Sequence, residues 1–200
     1  MNTLRLLLLT GACCLLVSGC RVSSHENGDK QNVEIGTPFG SMHVRTNGDA
    51  PVAGIGIAVY PGATLAKDHH DDTNSADVNM NFGDFHLGVR AASYRTADSP
   101  DQVLSFYKKD LAHYGDVLEC RDNKPVGQPA RTSQGLTCTD DGGHHNNVHL
   151  DNVHVGSDLE LRTGSPQHQH IVAIDRKDGG TKIGLVALDL PEHHDSGDSE

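Results

Sequence analysis

The 200-residue sequence has no tryptophan, only eight other aromatic residues (four phenylalanines and four tyrosines) and five cysteines. With so few aromatic side chains, a folded core must be built mainly from Val, Ile, Leu and Ala. The longest apolar run, residues 6–17, is shorter than the roughly 20 residues that a membrane-spanning helix needs. The sequence also lacks an HExxH zinc motif, a glycine-rich phosphate loop and a GxSxG nucleophile elbow. We therefore expect a protein that is not an enzyme.

Basic residues are scarce relative to acidic ones, with 16 Lys and Arg against 27 Asp and Glu, which gives a formal net charge of −11. This balance excludes nucleic acid as an expected partner, because binding to phosphates needs a basic surface. The chain is rich in histidine instead, with 14 residues. Because histidine titrates between mildly acidic and neutral pH, we expect the net charge to rise steeply on acidification.

The N-terminal segment predicts export of the protein. Arg5 is the only charged residue before Arg21, and residues 6–17 are apolar or small. A basic start, a short apolar run and small residues before a break are typical of a secretory signal, although a buried N-terminal helix has a similar composition. We therefore expect residues 1–19 to be a signal peptide.

The end of this segment, Val17-Ser18-Gly19-Cys20, resembles the lipobox of bacterial lipoproteins. The resemblance implies cleavage before Cys20 and attachment of acyl chains, such as palmitate, to that residue. Several acyl chains together give stable anchoring in a membrane. Because Arg21 and not an aspartate follows the cysteine, the resemblance implies a place in the outer membrane, facing the periplasm.

Two cysteines, Cys120 and Cys138, remain once those of the signal peptide and Cys20 are set aside. In an oxidising compartment such an even remainder favours a disulfide bond between them. A zinc-binding or redox-active pair is the alternative, but the sequence lacks the CxxC spacing that is typical of such sites.

Residues 33–190 are predicted to form a single domain, since their number suffices for one core. Residues 20–32 are polar and lack periodicity, which is typical of a flexible tether. Residues 191–200 have the composition of a disordered acidic tail. Within the domain, residues 33–49 predict two short strands around a TPFG turn. These strands could add to the main sheet or form a separate hairpin, and a partly ordered linker is the alternative.

One helix is predicted over residues 100–114. Ser99 can cap it, Pro100 suits its first position, and Gln102 completes a capping box. Apolar side chains then recur on one face at steps of three and four, at Val103, Tyr107, Leu111 and Tyr114.

Most of the remaining domain is predicted to form strands. Because the strands follow one another without intervening helices, antiparallel pairing is expected. The predicted fold class is α+β, with one main helix packed on a curved, mostly antiparallel sheet. The predicted strands lie in residues 77–96 (a pair around Gly83-Asp84), 116–120, 135–139, 147–155, 158–163, 170–176 and 181–190.

Three stretches resemble a group of uncharacterised bacterial lipoproteins that face the periplasm. The group shares a Tyr-Pro-Gly-Ala turn and a helix that starts at Ser-Pro. The resemblance implies a sheet-and-helix fold and an envelope location, and it implies no activity. The stretches are YPGAT (60–64), YRTADSPDQVLSFYKKDLAHYG (94–115) and HIVAIDRKDGGTKIGLVALDLP (170–191).

Four residues are candidate metal ligands. His168 and His170 share a face of one predicted strand, and His149 and Asp151 share a face of another. Imidazole and carboxylate groups bind Zn, Ni or Cu, so the four residues could form a site if the two strands are neighbours. The alternative is a solvated polar face whose histidines hold no ion.

Three functions remain open from the sequence. The first is a membrane-anchored, non-catalytic binding or scaffold module of the cell envelope, without a cofactor, whose partner is an unknown envelope protein or polymer. The second is a lipoprotein that binds or buffers a transition metal through its histidines. The third is a pH sensor that uses the change of net charge on acidification.

Overall fold

The computed structural model of the protein describes residues 19–28, 30–47, 54–66, 74–139, 159–177 and 179–191. One helix, α1, spans Pro100–Leu111 and continues as a short 3-10 helix at Ala112–Tyr114. The strands in these ranges are β1 (Arg21–Asn27), β2 (Lys30–Thr37), β3 (Gly40–Thr46), β4 (Thr64–Leu65), β5 (Ser75–Phe82), β6 (Phe85–Thr96), β7 (Leu118–Arg121), β8 (Lys124–Pro125), β9 (Leu159–Gly164), β10 (His168–Lys177) and β11 (Gly180–Asp189).

The strands form one sheet in the order β1-β2-β3-β5-β6-β11-β10-β9-β7-β8, with β4 also paired to β6. The pairs are antiparallel, as the absence of intervening helices predicted. The described helix is only 12 residues long. The predicted helix and mostly antiparallel sheet are present, but with so short a helix the fold is mainly β rather than clearly α+β.

The hairpin predicted in residues 33–49 is part of this sheet and not a separate unit. Strand β3 pairs with β2 on one side and with β5 on the other, where Val44 lies opposite Val78. The predicted strand pair over residues 77–96 is confirmed as β5 and β6, which are joined at Gly83 and Asp84. Gly83 has a φ of 56°, a conformation that glycine adopts without strain.

Residues 20–32 do not form the predicted flexible tether, because most of them belong to strands. Residues 21–27 form β1, which pairs with β2 so that Ser24 lies opposite Val33. All seven residues of β1 are exposed. An edge strand with both faces in solvent needs no apolar alternation and can be polar along its length, which is why its composition resembled that of a flexible segment.

The helix begins at the predicted cap. The Ser99 backbone N–H donates to Oε1 of Gln102 at 3.0 Å, which is one half of a capping box. The helix buries Val103, Tyr107 and Leu111 completely against β9, β10 and β11. The predicted apolar stripe is therefore the face that covers the sheet.

Loop residues 54–60 complete the main core beside the helix. Ile55, Ile57 and Tyr60 are buried there, and the Tyr60 N–H donates to Oη of Tyr107 at 3.1 Å. Burial raises the pKa of Tyr107, so its hydroxyl stays neutral. The strand side chains of this core are Ala92, Tyr94, Leu159, Leu161, Val172, Ile174, Ile183, Leu185 and Ala187.

A second, smaller core surrounds the disulfide bond. Cys120 and Cys138 are bonded, with their Cα atoms 5.6 Å apart, and pack with Leu118 and Leu136. The predicted disulfide is thus confirmed. The predicted strand over residues 135–139 was wrong, since this segment makes only a single bridge between Arg131 and Thr137. A pair held by a covalent bond needs no continuous ladder of hydrogen bonds.

Several of the predicted segments cannot be compared with the structure. The predicted strand over residues 147–155, the predicted signal peptide and most of the predicted acidic tail lie outside the described residues. Within the described ranges, no helix is long and apolar enough to cross a membrane.

Candidate functional site

Alternation along three neighbouring strands places polar side chains on one side of the sheet. Arg45 on β3 lies opposite Asp77 on β5, which lies opposite Arg90 on β6. His43 and Asn79 form the next opposed pair. Residues two apart on a strand share a face, so these side chains all point to the same side. We call this set the polar face, which consists of Ser41, His43, Arg45, Asp77, Asn79, Asn81 and Arg90.

The polar face continues the side of the sheet that α1 covers. Arg90 lies opposite Ala187, which belongs to the main core, as does Ala92, two residues further along β6. The polar face therefore begins where the core ends. Its side chains line an open depression of about 300 Å³, a volume at the lower end of the range for ligand sites.

Ion pairs hold part of this surface in place. Nε of Arg90 lies 3.7 Å from Oδ1 of Asp77, and its Nη1 lies 3.8 Å from Oδ2 of Asp189 on β11. Oδ1 of Asp189 lies 3.0 Å from Nδ1 of His168 on β10. Ion pairs thus connect β5, β6 and β11 through Asp77, Arg90 and Asp189, and the contact with His168 extends this set of side chains to β10. Such a network limits the freedom of the Arg90 side chain before any ligand arrives.

Arg45 differs from Arg90. Among the described residues, no carboxylate lies within 4.0 Å of its guanidinium group, although Asp77 occupies the opposed position on β5. Its side chain is half-buried in the lining of the depression. A guanidinium group in this setting can bind a carboxylate through two parallel hydrogen bonds.

Amide groups lie beside the two arginines. The side-chain amide of Asn81 donates to Oδ1 of Asn79 at 2.7 Å, and the same Asn81 contacts Nδ1 of His86 through its Oδ1. These contacts orient both asparagine side chains. Asparagine amides offer donors and acceptors together, which suits amide and hydroxyl groups of a ligand.

The lining of the depression differs in charge from the rest of the molecule. It holds Arg45, Arg90 and His43 beside the carboxylate of Asp77, and Asp189 and Glu34 contact Arg90 and His43 from outside the lining. The whole chain, by comparison, has a formal net charge of −11. An anionic group is therefore attracted chiefly by Arg45, which has no carboxylate within 4.0 Å among the described residues, while the global balance repels anions elsewhere. Attraction is therefore concentrated at the polar face.

The structure places two of the four predicted metal ligands on the same side of β10. His168 has a side chain that is 71% exposed and contacts Asp189. The His170 ring instead stacks on Tyr114, with ring centroids 4.0 Å apart. Burial lowers the pKa of His170, and the nearby charge of Asp189 opposes this shift in part. His170 is consequently neutral at physiological pH.

The other two predicted metal ligands, His149 and Asp151, lie outside the described residues. Within the described part of the chain, no three His, Cys, Asp or Glu residues come together as a metal site would require. The predicted lipid attachment residue, Cys20, is an exposed free thiol directly before β1.

The sequence analysis did not predict the polar face, although it predicted the strands that carry it. In residues 41–45 and 77–81, polar positions alternate with Met42, Val44 and other apolar residues. That alternation predicted strands, but the strand register decides which polar residues meet. The register also places most of the described histidines on this side of the sheet, and His113 is the exception. The histidines on this side are His25, His43, His86, His168 and His170.

No family model, no curated protein and no solved structure matches this chain. The functional argument therefore comes from the surface chemistry described above.

Proposed function

We propose that this chain is a lipid-anchored, non-catalytic binding module of the bacterial cell envelope, attached to the outer membrane through Cys20 and facing the periplasm. Its ligand on this proposal is an envelope polymer that carries carboxylates and amides, as peptidoglycan does. The polar face carries the proposal, because it presents Arg45 without an ion-pair partner among the described residues.

The composition of the polar face fits such a polymer. The guanidinium group of Arg45 can hold a carboxylate, while Asn79 and Asn81 offer hydrogen bonds to neighbouring amides and hydroxyls. The charge of Arg90 is already offset by Asp77 and Asp189, so Arg45 is the arginine that is left to bind a ligand carboxylate.

The shape of the site supports an extended ligand over a small enclosed one. The depression is open and runs across β3, β5 and β6 rather than into the core. The rows of residues that lie opposite one another on these strands continue from β3 onto β2, where Glu34 lies opposite His43. Oε1 of Glu34 lies 3.1 Å from Nε2 of His43. A chain-like ligand could follow these rows across the sheet.

Co-sedimentation with purified peptidoglycan sacculi tests the proposal. We expect the lipidated protein, which on this proposal starts at Cys20, to sediment with sacculi in detergent. Arg45→Ala should bind about tenfold more weakly or worse, because a charge-assisted hydrogen bond contributes about 1.5–3 kcal/mol. Binding should also weaken as the salt concentration rises, since the contact is partly ionic.

Arg121→Ala is the matched control. Arg121 is also a surface arginine, with a side chain that is 53% exposed, but it lies on β7 near the opposite edge of the sheet. The two variants change the net charge equally. Equal binding by both variants and the wild type would contradict a role for the polar face.

A second candidate function is transition-metal binding, which is favoured by the shared orientation of His168 and His170 on β10. Calorimetric titration of the full chain with Zn, Ni and Cu tests it. Saturable binding near one ion per chain that is lost in His168→Ala/His170→Ala would support a metal site. Weak binding of several ions that the double variant leaves unchanged would contradict it.

A further inference from the structure

Three of the four phenylalanines of the chain lie exposed at one end of the sheet. Phe39, in the turn between β2 and β3, is 84% exposed. Phe82 and Phe85 flank the turn between β5 and β6 and are 39% and 42% exposed. We call these three residues the phenylalanine rim. The fourth, Phe106, packs against the main core, so the exposure is confined to this one end.

Strand register brings the rim residues close together. Gly40, the residue after Phe39, lies opposite Phe82, and Phe82 lies opposite Phe85. A Cβ atom on Gly40 would collide with the Phe82 ring, so this ring lies directly over the start of β3. The rim therefore spans the ends of three strands, β3, β5 and β6.

Cys20 lies at the same end of the sheet. It directly precedes β1, whose first residue, Arg21, lies opposite Gly36 near the end of β2. A Cβ atom on Gly19 would be 2.8 Å from Cγ of Pro38, the residue before Phe39. The chain around Cys20 is thus packed against the turn that carries the first phenylalanine of the rim.

Apolar side chains extend from the rim along the side of the sheet opposite α1. The first row behind the rim begins with Val22, which is 67% exposed. The row then crosses four further strands through Ile35, Met42, Met80 and Leu87. These four are all half-buried. On the side of the sheet opposite α1, a row of apolar side chains thus lies directly behind the rim.

We infer that the phenylalanine rim is a membrane-contact surface that rests on the phospholipid bilayer holding the acyl chains of Cys20. This inference rests on the lipid attachment in the proposed function. Because β1 begins at Arg21, no spacer separates the attachment residue from the folded sheet. An acylated Cys20 would hold this end of the sheet at the lipid headgroups, where Phe side chains of amphipathic surface segments insert.

The depth of the contact follows from the charges nearby. Asp84 lies in the turn between Phe82 and Phe85, and Arg21 directly follows Cys20. Both residues are exposed. Charged side chains stay in the interfacial region and do not enter the hydrocarbon core. The rim therefore reaches the boundary between headgroups and acyl chains, as amphipathic surface segments do.

A single introduced tryptophan tests this contact, because the natural chain has none. Lipidated Phe39→Trp protein is reconstituted into vesicles of phosphatidylethanolamine and phosphatidylglycerol, with and without lipids brominated on their acyl chains. We expect a blue-shifted emission and loss of most of its intensity with brominated lipid. Val126→Trp is the control, since Val126 is 40% exposed but follows β8 at the opposite edge of the sheet; its emission should stay red and unquenched.

Three results would overturn the inference. A Phe39→Trp protein that sediments with the vesicles but shows unshifted, unquenched emission would leave the lipid anchor intact and remove the rim from the membrane. A blue-shifted emission without quenching would mean that the rim is covered by protein, such as a second copy of the chain. A chain that does not sediment with vesicles would refute the lipid attachment, and the inference with it.

Discussion

Removal of the Cys120–Cys138 disulfide is expected to destabilise the whole domain and not only the segment that it closes. Cys120 lies on β7, which pairs with β9 in the main sheet, and both cysteines are only 2% exposed. Unfolding of the linked segment would expose Leu118 and Leu136 together with the sulfur atoms. The bond therefore connects the segment around Cys138 to a strand of the main sheet.

The expected magnitude follows from the loop length and the burial. The bond joins residues 18 apart in sequence. In the chain-entropy model, closing a loop of this size stabilises the fold by about 3 kcal/mol. Replacing both cysteines by alanine also deletes two buried sulfur atoms, at about 1 kcal/mol each by analogy with a buried methylene. The total, about 5 kcal/mol, corresponds to a decrease in Tm of about 10–20 °C for a chain of this size.

Differential scanning calorimetry separates the two contributions. Reduced wild-type protein keeps the sulfur atoms and should lose only the loop-closure part, about 3 kcal/mol. The Cys120→Ala/Cys138→Ala variant should melt at a lower temperature still. An unchanged Tm after reduction, with loss of the bond verified by mass, would refute the reasoning, because it would mean that the segment unfolds independently of the sheet.

Three further predictions concern buried polar groups. Glu160→Ala should lower the free energy of unfolding in urea by about 3–5 kcal/mol, because it removes the carboxylate that lies 2.7 Å from Nη2 of the buried Arg162; a loss below about 1 kcal/mol would contradict this. Tyr107→Phe should cost about 1–3 kcal/mol in the same assay, because the buried N–H of Tyr60 loses its acceptor; an unchanged midpoint would argue against that hydrogen bond. Because burial lowers the pKa of His170, its protonation opposes folding, so the wild type should lose stability as the pH falls below about 6.5, the value in the unfolded chain. His170→Gln should reduce that loss, and identical Tm profiles against pH would refute the assignment.

Local signals in the sequence predicted the parts of the fold that depend on neighbouring residues. The helix begins at the predicted cap because the contact between Ser99 and Gln102 is made within one turn. The turn at residues 60–63 closes through the Ala63 N–H, which donates to the Tyr60 carbonyl at 3.0 Å. The β5–β6 hairpin likewise depends on Gly83 between two alternating segments.

Features that depend on distant strands could not be predicted. Strand β1 is polar because it is an exposed edge, so its ordered state depends on pairing with β2 rather than on its own composition. Arg45, Asp77 and Arg90 are separated in sequence and become neighbours only through the register of β3, β5 and β6. The phenylalanine rim arises in the same way, since Phe39 and Phe82 lie at the same end of the sheet only because β3 pairs with β5.

The most direct test of the proposed function is to map where a polymer fragment binds. The measurement is the NMR spectrum of the side-chain amides of isotope-labelled, lipidated protein in detergent, titrated with soluble peptidoglycan fragments. The account predicts that the resonances of Asn79 and Asn81 shift in proportion to occupancy, and that the shifts disappear in Arg45→Ala. Shifts confined to other parts of the chain, such as Asn123 near the opposite edge of the sheet, or no shifts at saturating fragment, would contradict binding at the polar face.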